Sequence, residues 1–148
     1  LLFYGKARCA ACHNGPFFSD LKFHAIPFGQ AGFGRNGFGI DYGRFNVTLD
    51  PADRHKFRTP PLYNVTRTAP YSHSGVTYDL ADAVRAHVDP LAVAKVPAMT
   101  GPERVEFYNR LTAWSREPLH QVYLSEREIQ DLVAFLGTLE FDPIDEPG

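Results

Sequence analysis

The only two cysteines of the chain stand in one pentapeptide, Cys9-Ala10-Ala11-Cys12-His13. Cys-x-x-Cys-His is the attachment motif of a c-type haem, and chemistry accounts for its spacing. Two thiols add across the two vinyl groups of the porphyrin, and the next residue offers an imidazole to the iron. On a helical turn, three residues' separation sets both sulfurs on one side, with His13 beneath the ring. Other readings fail on context. A thioredoxin-type redox pair needs a surrounding β-α-β pattern, which is absent. A structural zinc site needs two further Cys or His ligands at matching spacing, and no second pair appears. A disulfide gives His13 no role. The expectation is one haem c on Cys9, Cys12 and His13, and therefore redox chemistry. Such attachment takes place outside the bacterial cytoplasm, so a periplasmic location is expected.

The rest of the chain must hold that group. Its 148 residues suffice for one domain with a real core, and 44% hydrophobic against 22% charged residues favours a globular chain. A net charge of −2 without a Lys/Arg cluster argues against a nucleic-acid partner. No apolar run approaches the roughly 20 residues that cross a bilayer, and the N-terminus lacks a signal-peptide pattern. Twelve prolines and twelve glycines imply long ordered loops between few helices, and 14% aromatic residues suggest packing around a large flat group.

Leu1-Leu2-Phe3-Tyr4 reads as the last turns of a helix, and this abrupt apolar start suggests a domain cut from an N-terminal neighbour. From Asn14 to Thr59 the pattern is loop-rich. The Gly/Phe alternation of Phe28 to Gly39 reads as a packed surface loop rather than a phosphate cradle, because no strand precedes it and no helix follows. Asp79 caps a helix with Leu80, Ala83, Val84 and His87 on one face, stopping before Pro90. A second helix is predicted from Pro102 to about Trp114, with Val105, Tyr108 and Leu111/Thr112 recurring. Ser125-Glu126-Arg127-Glu128 is a capping box, followed by the stripe Ile129, Leu132, Val133, Leu136 and Leu139. The fold class is mostly α, a cytochrome c-like haem domain with few helices and long ordered loops. It spans residues 1–141, and 142–148 form a frayed tail.

Several stretches, in order, resemble the C-terminal haem domain of the di-haem cytochrome c peroxidase and MauG family. They are Cys9 to Pro16, Phe23-His24, Asp41-Tyr42-Gly43-Arg44, Phe57 to Val65, Thr68 to Gly75, Leu80 to His87, and Asp131 to Leu136. The resemblance implies a six-coordinate haem that relays electrons, while the haem where peroxide reacts belongs to a second domain or chain. It implies a small redox protein as electron donor, and hydrogen peroxide or a protein side chain as substrate. It also implies a calcium ion held partly by the backbone carbonyls of Thr68 and Pro70. Two departures stand out. Tyr63 occupies a position where the family has Arg, a bidentate partner for a haem propionate. Ser74 occupies one where it has Asp, a charged neighbour of His73.

The family's distal iron ligand, Met or Tyr, falls at His87. A histidine there gives bis-imidazole iron and a lower reduction potential than a His/Met pair. Its alternative role is an ordinary helix-end histidine favoured by the dipole. Met99, in the loop Val96 to Thr100, is the competing ligand, with filler as its plainer role. His73 is expected to hydrogen-bond at a domain boundary or haem edge, an acid/base role being secondary. His24 structures the loop after the haem motif, and His55 and His120 are expected in solvent. Arg44 and Arg58 are candidates for the propionates or for surface ion pairs. Trp114 is a hole-hopping residue or, more simply, core. The enzyme reading competes with a mono-haem electron carrier, which the single motif favours, and with a partner subunit that keeps its haem without turnover.

Overall fold

The computed structural model describes residues 1–29 and 40–142, and its helices start where side chains can satisfy the free amides of a first turn. Five α-helices occur among the described residues: α1 (Phe45–Thr48), α2 (Leu80–Val88), α3 (Pro90–Val93), α4 (Gly101–Trp114) and α5 (Glu126–Gly137). The capping box of α5 is as the sequence predicts: Glu128 N–H donates to Ser125 Oγ and Ser125 N–H to the Glu128 carboxylate. Thr100 and Glu103 do the same for α4. Asp79 accepts from the amides of Ala81 and Asp82, and α2 stops at Val88, short of Pro90.

α5 buries Ile129, Leu132 and Leu136 against Phe3, Ala7, Leu62 and Leu124, and Leu139 closes the same core just beyond the helix. Each leucine so buried contributes about 1.5–3 kcal/mol. The Phe3 and Phe135 rings lie 4.9 Å apart, and Lys6 ties the N-terminal segment to Glu128 at 2.6 Å. That segment is a chain of turns and not the helix end predicted for Leu1 to Tyr4. Gly5 N–H donates to Leu1 O as in a helix, but Ala7 N–H reaches back to Leu2 O. The wider turn brings both Phe3 and Ala7 into the core. α2 packs against α3 and α5, with Arg85 bridging to Glu126 at 2.6 Å.

Two expectations need correction. On α4 the predicted stripe is turned outward, with Val105 and Tyr108 exposed while Phe107 and Arg110 are buried. The inward face includes a guanidinium, so hydrophobic periodicity pointed to the wrong side. The loop-rich stretch from Asn14 to Thr59 also contains α1 and a small sheet. In it β1 (Phe23–Ala25) pairs antiparallel with β2 (Lys56–Arg58), Phe23 opposite Arg58 and His24 opposite Phe57. Three-residue strands are too short to display a period of two. Gly43 docks the preceding loop on β2: its φ is +65°, and a Cβ there would fall 2.2 Å from Lys56 O. Only glycine fits. Most of the Phe28–Gly39 stretch and the tail beyond Asp142 lie outside the described residues. No helix among the described residues is long and apolar enough to cross a membrane.

Candidate functional site

Cys9–Ala11 forms a 3-10 turn in which the amides of Cys12 and His13 both donate to Cys9 O, at 3.2 and 2.8 Å. Both cysteines and His13 line one cavity of about 440 Å³. His13 Nδ1–H donates to Phe18 O at 3.0 Å, which makes Nε2 the lone-pair nitrogen for a metal. Phe18 presents that carbonyl from the left-handed region, φ +49°, an uncommon conformation for a bulky residue and one that recurs at built sites. Burial holds His13 below its ordinary pKa against the opposing pull of the Phe18 and Pro60 carbonyls, keeping the neutral form that ligates metals.

The facing wall is α2, which contributes Leu80, Ala83, Val84, His87 and Val88 to the cavity. His87 Nδ1–H donates to Ala83 O, one turn back, at 2.7 Å, so its Nε2 is likewise the lone-pair nitrogen. Its own carbonyl accepts from Trp114 Nε1–H at 2.9 Å, fastening the end of α2 to α4. Burial pushes His87 down to about 4, opposed by the Ala83 carbonyl and aided by His13. The two imidazole centroids are 6.4 Å apart. Two metal–nitrogen bonds of about 2.0 Å, plus the half-width of each ring, span roughly that distance.

These features fit a haem. The cavity walls are chiefly aliphatic, two thiols stand at one edge, and two neutral imidazoles face its interior. The alternatives fit poorly. Burial drives the Cys9 thiol up to about 11, with its backbone hydrogen bond opposing and Cys12 adding, whereas a reactive dithiol pair needs a depressed pKa. Donor atoms of Cys12, Asp20 and His24 lie within 4.8 Å of one another, but that set leaves out Cys9. His24 is instead gripped by two carboxylates, Asp20 at 2.8 Å and Glu117 at 3.1 Å. Its pKa rises to about 11 through Cys12 first, then Glu117 and Asp20, against burial. The sequence assigned His24 only to shaping a loop; its tie to Glu117, 93 residues away, is a tertiary fact.

The remaining residues fall into groups. Arg58 lines the cavity, its guanidinium 5.3 Å above the Phe23 ring. Arg44 is not among the lining residues and pairs with Asp53 at 3.0 Å. His73 lines the cavity, stacks on Phe57 at 3.9 Å and hydrogen-bonds through Nε2 to the Asp41 carboxylate at 2.9 Å. Asp41 thus stands beside His73 where the family places the neighbour now replaced by Ser74, whose hydroxyl donates to Gly29 O. Tyr63 Oη donates to Pro16 O at 2.6 Å. Met99 follows a 3-10 turn and is not a lining residue. Thr68 and Pro70 are exposed at the cavity rim. Among the described residues no cluster of acidic, His or Cys side chains gathers there, so their carbonyls offer only part of the six to eight oxygens calcium takes. His120 is exposed as expected, but His55 is buried at 5% exposure, because Tyr42 and α4 cover it. Arg110, absent from the sequence-based candidates, is buried and lines the cavity.

No model of a known protein family matches the chain. It is 32% identical, over 93% of its length, to the cytochrome-c peroxidase IdrP1 of Pseudomonas sp. (strain SCT). It is 34% identical, over 96% of its length, to the methylamine utilization protein MauG of Methylorubrum extorquens. The chain spans 38% and 33% of those relatives' own lengths. Its fold superposes with a TM-score of 0.73 on a MauG-like protein associated with microbial copper homeostasis, at 28% identity, covering 95% of this chain and 45% of that one.

Proposed function

The chain belongs to the di-haem cytochrome c peroxidase and MauG family, and we propose that within it the chain is the electron-transfer haem domain of a peroxidase or MauG-like oxidoreductase. The observation that carries the reading is the pair His13 and His87, 6.4 Å apart across the cavity, each with Nδ1 spent on a backbone carbonyl. When bound, haem c supplies reversible one-electron chemistry at its iron. Cys9 and Cys12 would anchor it through their thiols, and His13 and His87 would hold its iron through their Nε2 atoms. With both imidazoles so engaged, this chain would leave no place for water or peroxide at that centre. Peroxide chemistry then belongs to a second haem-bearing domain or chain, which draws electrons through this one from a small redox protein or a protein side chain.

The supporting residues have narrower roles. His73 and Asp41 hold a proton at His73 Nε2 on the cavity rim, available at the haem edge. Of Arg44 and Arg58, Arg58 is the one that lines the cavity. Calcium enters this reading only if an adjoining segment completes the oxygen shell begun by Thr68 and Pro70. A periplasmic location follows from where c-type haem is attached.

The competing reading is a mono-haem electron carrier, favoured by the single Cys-x-x-Cys-His motif. The haem-to-protein ratio of the natively purified assembly, with the mass of each haem-stained polypeptide, separates the two. Two haems per assembly with peroxide-dependent oxidation of a reduced small cytochrome are expected. One haem and no peroxide turnover would leave the carrier.

A further inference from the structure

Arg110 carries a buried charge that the Glu106 carboxylate balances only in part, acting on it without closing an ion pair. It is 8% exposed and lines the cavity. Its Nη1–H donates to Phe28 O at 3.0 Å and its Nε–H to Glu106 O at 3.3 Å, both neutral carbonyls. Arg110 has no ion-pair partner among the described residues. The Glu106 carboxylate, which attracts Arg110 from one turn back, lies 3.9 Å from His55 Nε2 and makes no hydrogen bond through that oxygen. A guanidinium offers five N–H donors, and a buried charge is strongly destabilising unless an opposite charge meets it. An anionic group in the cavity would meet that charge at hydrogen-bond distance, which Glu106 does not.

Position narrows its identity. Cys12 lies against His24 and Arg110 against Phe28, four residues further along one segment. The segment turns on the way, Phe28 N–H donating to Ile26 O at 2.9 Å, and the Phe28 ring lies 5.5 Å from that of His87, so Arg110 meets it where it reaches the α2 wall of the cavity. The thioethers take the vinyl edge, and a haem's two carboxylates lie on the edge away from it. His24, a half-buried histidine that also lines the cavity, is already matched by Asp20 and Glu117. Arg58 is exposed.

We infer that Arg110 binds a propionate of the haem from the cavity wall and so raises the reduction potential of this centre. The inference rests on the haem reading above. The reduced centre carries one positive charge fewer than the oxidised one, so a fixed cation nearby favours reduction.

The test is a spectroelectrochemical titration of the full, natively haem-loaded protein with Arg110→Met and Arg110→Lys. Arg110→Met is expected to lower the reduction equilibrium constant of this haem about tenfold, equivalent to about 59 mV for a one-electron couple. Arg110→Lys is expected to keep most of the original value. An unchanged potential in Arg110→Met with an intact low-spin spectrum would overturn the inference, as would a lysine variant shifted as far as the methionine one. Should Arg110→Met not accumulate, a crystal structure of the unaltered holoprotein decides. A propionate oxygen hydrogen-bonded to Arg110 is expected, and two propionates held elsewhere would overturn it. A chain with no covalent haem in a haemochrome assay would overturn this inference and the haem reading together, an outcome distinct from the others.

Discussion

His13 is held by its own neighbourhood. The turn beginning at Cys9 orients it from one side, and the carbonyl of Phe18, five residues on, takes its Nδ1 proton. His87 is held by the fold. Its Nδ1 bond runs inside α2, but what fixes α2 is the packing of that helix on α5, the Arg85–Glu126 pair, and the Trp114 indole on the His87 carbonyl from 27 residues away. The wall around His13 therefore depends above all on a few adjacent residues, with Pro60 and the His24–Glu117 pair as its distant supports. The distal wall can be retuned from several places at smaller cost.

The largest test of that contrast removes the local wall's chemistry. Cys9→Ser with Cys12→Ser is expected to abolish covalent haem, read as loss of haem stain on a denaturing gel; stain retained on this chain would contradict the site. On the other wall, His87→Met is expected to keep the covalent haem while raising its potential and introducing a sulfur–iron charge-transfer band. An unchanged spectrum would remove His87 as a ligand. Trp114→Phe keeps a ring but leaves the His87 carbonyl without its donor, costing about 1–3 kcal/mol. Urea denaturation of the holoprotein should register that loss, and cyanide should bind faster; no change in either would show that the indole does not brace α2.

The smallest expected effect is a pH dependence on the proximal side. His24 is raised, by Cys12 first and by Glu117 and Asp20, and the Cys12 contribution ceases once that sulfur is a thioether. What the carboxylates supply is fully present below the unfolded imidazole value of about 6.5. It is lost as pH rises from there through the folded value. Burial alone would raise Asp20 and Glu117, but their bonds to His24 outweigh it and hold both low. Their contribution is present above the ordinary carboxylate range and lost as pH falls below it. Denaturation midpoints measured across pH should decline on both limbs. His24→Asn should flatten the alkaline limb, and an identical profile in that variant would exclude the cluster.

The same contrast explains what could be read from sequence. Cys9, Cys12 and His13 are legible because five adjacent residues contain the whole chemical instruction. Asp79 and the Ser125–Glu128 box are legible for the same local reason. His87 was reached only through a resemblance, since a histidine at the end of a helix looks the same whether or not a second imidazole faces it. Arg110 goes unnamed in the sequence, and His55 is expected in solvent yet buried, because a polar residue reads as surface until the fold encloses it. Three-residue strands left no pattern, and Val105 and Tyr108 supplied an apolar stripe that faces solvent.

If His13 and His87 both hold the haem iron, this chain alone supplies both of its protein ligands. Electron paramagnetic resonance of the ferric, natively loaded protein tests it directly, with His87→Met recorded beside it. The prediction is a low-spin bis-imidazole signal from this centre that disappears in the variant. A high-spin or His/Met signal, unaltered by His87→Met, would contradict it.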